Sequence, residues 1–140
     1  MRESLRFPCE ARYAPRARAA FETLLQTAGV DEDTRWRFVW ALGEAIGSTI
    51  KHARGTATYF EIRVNLRPKL LRIDIENDGA AFDPGNYQQE DTRGFGISVM
   101  RQLSDAIAFF KNGRLLRLEW QFAETELLAE RNASSLSSQV

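Results

Sequence analysis

Hydrophobic residues recur at helical spacing in two segments of the first half of the chain. Over residues 14–28 the apolar positions share one face, and Gly29 follows as a stop. Asp31 is a good N-cap for a second helix, which runs to about Ala53 and is closed by Gly55. The second helix has one continuous apolar arc, formed by Phe38, Val39, Leu42, Ala45, Ile46, Thr49, Ile50 and Ala53.

Strict alternation of apolar and polar residues predicts strands elsewhere in the chain. Residues 59–66 and 71–76 alternate on either side of a short turn that contains Pro68, which indicates an antiparallel hairpin. Residues 5–8 form a short edge strand in this interpretation, because Pro8 lacks the N–H group that a central strand needs.

The second half of the chain supplies one more strand and one short helix. Residues 116–122 alternate apolar and polar side chains, and residues 97–103 place their apolar residues on one side of a helix. The elements together predict an α+β fold, a two-layer sandwich with helices on one face of a mixed, mostly antiparallel sheet. We expect residues 1–123 to form this domain, and residues 124–140 to form a polar, flexible tail.

The balance of charges argues against a nucleic-acid ligand. The chain has 19 Lys and Arg residues and 19 Asp and Glu residues, and its basic residues are scattered rather than gathered in a stripe. No apolar run reaches the roughly 18 residues that a spanning helix needs, and the N-terminus lacks the apolar centre of a signal peptide. With Cys9 as its single cysteine, the chain is expected in the reducing cytoplasm, without a membrane or nucleic-acid partner.

Three segments combine residues that are able to carry chemistry, and the first lies on the second helix. Glu44, Ser48 and Lys51 fall together on the side opposite the apolar arc. A carboxylate beside a second oxygen ligand is able to orient a nucleophile and hold a metal ion. A plain solvated stripe has the same pattern, so this segment alone does not decide between the two.

The other two segments follow the hairpin. Asn77 continues the inward-facing phase of its strand, and a buried amide needs a partner. That partner is either the ring edge of a ligand or the turn that begins at Asp78-Gly79. Further along, Arg93 precedes Gly94-Phe95-Gly96 at the start of a helix. The two glycines either let backbone N–H groups approach a phosphate or only form the loop that precedes the helix.

The order of these segments resembles the histidine-kinase-like (Bergerat-fold) ATPases, which include gyrase, sensor histidine kinases and a heat-shock chaperone. Within that group the closest likeness is to the anti-sigma-factor serine kinases, in which a strand and a helix also precede the motif helix. The likeness covers roughly residues 4–122. The matching pieces are Glu44-x-x-x-Ser48-x-x-Lys51-His52-Ala53, then Asn77-x-Gly79, then Arg93-Gly94-x-Gly96-Ile97.

The resemblance implies a role for each matching residue. Glu44 falls on the catalytic base, and Ser48 falls on a position, normally Asn, that holds Mg²⁺. Asn77 falls on an Asp that accepts a hydrogen bond from the adenine amino group. Gly79 matches the first glycine of that motif, and Ala81 replaces the second.

The same resemblance implies ATP and Mg²⁺ as cofactors. Arg93, Gly94 and Gly96 would bind the nucleotide phosphates together with Lys51. Residues 84–92 would then form a lid over the nucleotide.

The implied function is an anti-sigma regulatory factor of a partner-switching system, acting as an ATP-dependent serine kinase. Its expected partners are an anti-anti-sigma antagonist, which it phosphorylates, and a sigma factor or similar regulator. A homodimer is also implied, for which Tyr13 and Phe21 are either surface or core residues. The alternative is a non-catalytic interaction module with a degenerate nucleotide site. A detached histidine-kinase catalytic domain is disfavoured, because the single histidine, His52, lies inside the motif.

Overall fold

A computed structural model of the chain describes residues 1–53, 55–81, 83 and 97–121. The predicted tail, residues 124–140, lies outside them. In the described part, no helix is long and apolar enough to cross a membrane. The secondary-structure elements, in chain order, are β1 (Arg2–Pro8), a 3-10 turn (Ala11–Tyr13), α1 (Ala14–Thr27), α2 (Glu32–Ala53), β2 (Tyr59–Arg67), β3 (Leu70–Asn77), α3 (Ile97–Leu103), β4 (Ala106–Phe110) and β5 (Leu115–Gln121).

Within these residues the strands form one sheet in the order β1-β2-β3-β5-β4, and every pairing is antiparallel. The predicted α+β two-layer sandwich is confirmed, although its sheet is antiparallel throughout rather than mixed. Strand β4 has no counterpart in the sequence prediction. Its inward side chains, Ile107 and Phe109, are only half-buried at the sheet edge, so the apolar alternation along this strand is weak.

The core lies between the helices and one face of the sheet. Every second residue of β2, from Phe60 to Leu66, is buried on that face. Phe21 of α1 is completely buried, so it is a core residue and not part of a dimer surface as the sequence analysis allowed. Complete burial of a side chain of this size contributes about 2–3 kcal/mol. The predicted apolar arc of α2 is buried as well, with only Val39 partly exposed.

Helix α2 begins and ends where the sequence predicts. Asp31 caps it by accepting hydrogen bonds from the Thr34 N–H at 2.9 Å and from the Thr34 hydroxyl at 2.8 Å. Partial burial opposes ionisation of Asp31, but these hydrogen bonds outweigh it and hold the pKa of the carboxyl below its ordinary value. At the other end Gly55 has a φ of 86°, a conformation that side-chain-bearing residues rarely adopt.

Among the described residues, no helix covers the other face of the sheet, which carries paired charges instead. Asp74 on β3 is 9% exposed and accepts two hydrogen bonds from Arg117 on β5, at 2.8 and 3.0 Å. Arg63 bonds to Glu61 at 3.1 Å and to Glu76 at 2.9 Å, and these two acids stand opposite each other on β2 and β3. Ion pairs therefore occupy this face, whereas Glu44 and Ser48 lie on a helix of the other layer and Asn77 continues the face of β3 that is buried under the helices.

Candidate functional site

The polar stripe of α2 has the arrangement that the sequence predicts. Glu44 and Ser48 are half-buried and Lys51 is exposed, on the side of the helix away from the core. Gly47 lies on the same stripe, and a Cβ atom added there would have nothing within 4 Å. A glycine inside a helix costs about 1 kcal/mol relative to alanine, so helix stability does not explain this residue. Gly47 was not predicted from the sequence, although a mid-helix glycine between two candidate site residues is itself a signal.

Helix α3 packs against α2, so the two elements that the predicted site requires are neighbours. Its first residue, Ile97, is 3% exposed and belongs to the core. Because Ile97 directly follows Gly96, the predicted phosphate-binding segment is joined to a helix end that is fixed beside α2. Arg93, Gly94 and Gly96 themselves, and the predicted lid at residues 84–92, lie outside the described residues.

Asn77 is buried at the end of β3, as its strand phase predicts. Its side-chain oxygen Oδ1 accepts the Gly79 N–H at 2.9 Å, and its Nδ2 donates to the Arg114 carbonyl at 3.4 Å. The partner that a buried amide needs is therefore supplied by the protein. The turn and the ligand are not exclusive alternatives, because a carbonyl oxygen has two lone pairs and is able to accept a second hydrogen bond.

Gly79 is packed so tightly that only glycine fits without a shift. A Cβ atom there would lie 2.7 Å from Thr56 Oγ1 and 3.0 Å from both Ala57 Cβ and Asn77 Oδ1. Steric crowding alone therefore accounts for a glycine at position 79, the position that matches the first glycine of the family motif. Ala81, which stands where the resemblance expects a second glycine, is exposed.

Thr56 joins the end of α2 to the segment after β3, and the sequence analysis did not identify it. Its hydroxyl donates to the Ala53 carbonyl and accepts from the Ala80 N–H, each at 3.1 Å. Asp78 adds a second link, because its carboxylate accepts hydrogen bonds from Thr58 and Tyr59. The Thr58 hydroxyl in particular holds the pKa of the Asp78 carboxyl below its ordinary value.

The described contacts link α2, which carries the polar stripe, to two other predicted pieces. Helix α2 packs against α3, and the Thr56 hydroxyl connects Ala53, the last residue of α2, with Ala80, which directly follows the Asn77–Gly79 turn. The fold is therefore of the class of α+β domains in which a helix with a polar stripe is linked to the end of a hairpin.

Comparison with known families supports that class. The family model described as histidine kinase-like ATPase domain matches residues 7–120. The match spans most of the chain, which therefore belongs to the histidine kinase-like ATPase domain family. The family implies a nucleotide as the ligand, and its description names no subfamily. A comparison with curated proteins gave no match.

Proposed function

We propose that the chain binds ATP along the polar stripe of α2 and acts as a serine kinase of a partner switch. The observation that carries this proposal is the open space at Gly47, beside Glu44 and Ser48, on a helix that packs against α3. Membership of an ATPase-like family supports a nucleotide as the occupant of that space. The resemblance to anti-sigma kinases supports a protein serine as the phosphate acceptor.

In this proposal Glu44 takes the proton of the attacking serine hydroxyl. The serine oxygen bonds to the γ-phosphorus, the bond from that phosphorus to the β–γ bridging oxygen breaks, and ADP leaves. Positioning and charge stabilisation account for most of the catalysis in such a transfer. Lys51, with Arg93 and the N–H groups of the Gly94–Gly96 segment, would bind the phosphates.

The donors around this site fit Mg²⁺ only together with a nucleotide. In the part of the chain that the structure describes, no three His, Cys, Asp or Glu side chains come close enough to hold a metal ion. Mg²⁺ is commonly held by one or two protein oxygens together with substrate phosphates. Ser48 would supply such an oxygen, through a water because its side chain is short, and bound Mg²⁺ would neutralise charge on the phosphates.

The adenine end of the proposed site is shaped by Asn77 and Gly79. Asn77 positions the turn through Gly79, and the second lone pair of its side-chain oxygen would accept the adenine amino group. A neutral amide is a weaker acceptor than a carboxylate, by roughly 1 kcal/mol. We therefore expect a lower affinity for ATP, by about five- to tenfold, than an Asp at this position would give.

The partners that we propose are proteins. A small anti-anti-sigma antagonist would be the phosphate acceptor, and a sigma factor or similar regulator would be the protein that is sequestered. A homodimer remains part of the proposal, without Phe21 in its surface because that side chain is buried.

A second candidate function is a non-catalytic interaction module with the same fold. One observation favours it: both polar groups of Asn77 already have partners in the protein, so the fold is complete at this point without a ligand. If the nucleotide site has decayed, the double variant Ser48→Asn with Asn77→Asp should restore ATP binding that the natural chain lacks.

The variant Glu44→Gln tests the proposed kinase, because it removes the base and keeps the shape of the side chain. We expect Mg²⁺-ATP to bind this variant within about threefold of the natural chain by calorimetry, while phosphate transfer to the acceptor serine falls roughly 100-fold or more. Glu22→Gln, an exposed position on α1, is the matched control and should change neither quantity. Equal loss of binding and turnover would contradict the role of Glu44 as the base, and absence of binding in the natural chain would favour the interaction module.

A further inference from the structure

Two tryptophans are exposed side by side on α2. Trp36 is 57% exposed and Trp40 is 44% exposed, and their ring centroids are 4.7 Å apart in an edge contact. Trp120, by contrast, is 2% exposed and packs against Phe38 in the core. Aromatic residues are enriched where proteins bind each other, and neighbouring exposed aromatics mark such surfaces.

A groove of about 410 Å³ lies between this tryptophan pair and helix α1. We call it the Trp groove, and its lining consists of Arg18, Trp36, Val39, Trp40, Gly43 and Glu44. A Cβ atom at Gly43 would lie 2.9 Å from Cδ of Arg18, so the glycine allows the arginine stem to lie against α2. Packing of its stem against α2 therefore helps to position Arg18 in the groove.

The charge of Arg18 is available to a partner. Among the described residues no carboxylate pairs with Arg18, whereas Arg63 and Arg117 on the sheet are both paired. Arginine and tryptophan are the residues that most often dominate the energy of protein interfaces. An unpaired guanidinium beside two indoles is complementary to a carboxylate that neighbours a large apolar side chain.

One end of the Trp groove is formed by Glu44, which lines it together with the two tryptophans. Trp36, Trp40 and Glu44 follow one another at four-residue intervals, so they lie along one side of α2. A segment that rests on the indoles therefore passes beside the Glu44 carboxylate. Arg18 attracts an acidic residue of that segment. A serine next to Glu44 would be in position to accept phosphate in the proposed kinase.

We propose that the Trp groove is the docking site for the phosphate-accepting protein. Its occupant is a segment with a large apolar side chain on the tryptophan pair, an adjacent Asp or Glu on Arg18, and a serine at Glu44. The identity of the occupant as a phosphate acceptor rests on the proposed kinase function. Docking itself needs no nucleotide, and so the two proposals are separable by experiment.

The test begins with a display library of short random peptides that have a fixed central serine, selected on the full chain without nucleotide. We expect enrichment of peptides with a large apolar residue next to Asp or Glu. In fluorescence polarisation with the best peptide, Trp40→Ala should weaken binding roughly 30-fold, as for a hot-spot residue. Selection on Arg18→Glu should enrich Lys or Arg in place of the acid.

The controls are Phe110→Ala and Arg12→Ala, an exposed aromatic and an exposed arginine outside the Trp groove. Both should bind the peptide within about twofold of the natural chain. All variants change exposed side chains, so thermal unfolding should confirm that each is folded. The proposal is overturned if no peptide sequence is enriched, or if binding is indifferent to Trp40→Ala and Arg18→Glu.

Two further measurements separate the outcomes. If sedimentation shows a dimer that Trp40→Ala dissociates, the groove holds a second copy of the chain and the proposed occupant is wrong. Selected peptides that bind but gain no phosphate from Mg²⁺-ATP would contradict the kinase and leave the docking site standing. Peptides that are phosphorylated equally well by the natural chain and by Trp40→Ala would support the kinase and overturn the docking site.

Discussion

The Asp78 carboxylate lies 2.8 Å from the backbone nitrogen of Thr58, and it also accepts the Thr58 hydroxyl. Asp78 follows β3 and Thr58 precedes β2, so this contact fastens the two chain segments at one end of the hairpin. Thr56 makes the next link, from the end of α2 to Ala80. The turn that contains Asn77 and Gly79 is therefore held by α2, the same helix that carries Glu44.

This contact predicts a particular dependence of stability on pH. The pKa of Asp78 is lower in the folded chain than its ordinary value near 3.9. Its contribution is thus present at neutral pH and is lost as the pH falls through the folded-state pKa. We expect Asp78→Asn to lower the free energy of unfolding by about 1 kcal/mol at pH 7, a modest value because the carboxylate is exposed.

Urea unfolding at a series of pH values measures this effect. The difference between Asp78→Asn and the natural chain should shrink as the pH falls below about 4, and it should vanish once the pH is below the folded-state pKa of Asp78. Glu22→Gln, which removes an exposed charge on α1, should differ from the natural chain by less than about 0.5 kcal/mol throughout. A difference for Asp78→Asn that is the same at every pH would contradict the assigned contact.

Two glycines should respond in opposite directions to the same substitution. Gly79→Ala places a Cβ atom 2.7 Å from Thr56 Oγ1 and should cost about 1–3 kcal/mol of stability. Gly47→Ala meets open space within α2 and should stabilise by about 0.5–1 kcal/mol. Thermal or urea unfolding of both variants is sufficient, and a loss of stability in Gly47→Ala would mean that the space beside Glu44 is not open.

The variant Asn77→Asp should lower the stability of the fold and raise the affinity for ATP. The new carboxylate oxygen would face the Arg114 carbonyl, which now accepts a hydrogen bond from Nδ2 at 3.4 Å. We expect the free energy of unfolding to fall by about 1–2 kcal/mol, while the affinity for ATP rises about five- to tenfold. Asn112→Asp, in an exposed turn, is the control for the added charge and should leave both quantities unchanged. Asn77→Asp with unchanged affinity would place adenine elsewhere.

The ion pairs on the open face of the sheet should differ in strength. Asp74 and Arg117 share two hydrogen bonds at a nearly buried site, whereas Arg72 and Glu119 share one contact of 3.3 Å. A double-mutant cycle on the first pair should give a coupling energy of about 1–2 kcal/mol, and one on the second less than about 0.5 kcal/mol. Equal coupling in the two pairs would show that burial is not what distinguishes them.

Most of the fold was predictable because its periodic patterns are long. The apolar arc of α2 runs from Phe38 to Ala53, and β2 and β3 alternate over their whole length. For each of these elements only one orientation buries the apolar side chains. Strand β4 was not predictable in the same way, since it is short and its alternation is only half-buried. Its turn to β5 has positive φ at Lys111, Asn112 and Gly113. The Asn-Gly pair of this turn is typical of hairpins, and it was the one signal in the sequence that pointed to β4.

The candidate site was predictable only in part, for a physical reason. Glu44, Ser48 and Asn77 stand out because a helix or strand fixes where each side chain points. The contacts of Thr56 and Asp78 and the closeness of Gly43 to Arg18 depend on how separate elements meet in space. Such contacts produce no periodic pattern in the sequence, so the sequence does not predict them. The same holds for the exposure of Trp36 and Trp40, which only the structure shows.

Nucleotide binding is the claim on which the proposed function depends, and thermal unfolding in the presence of Mg²⁺-ATP measures it most directly. A ligand at about 100 times its dissociation constant stabilises a protein by about 2.7 kcal/mol. We predict a concentration-dependent rise in the unfolding temperature of the natural chain, which the free energies of unfolding in urea should reproduce. No change in either quantity at millimolar ATP would contradict nucleotide binding and leave an interaction module on an ATPase-like fold.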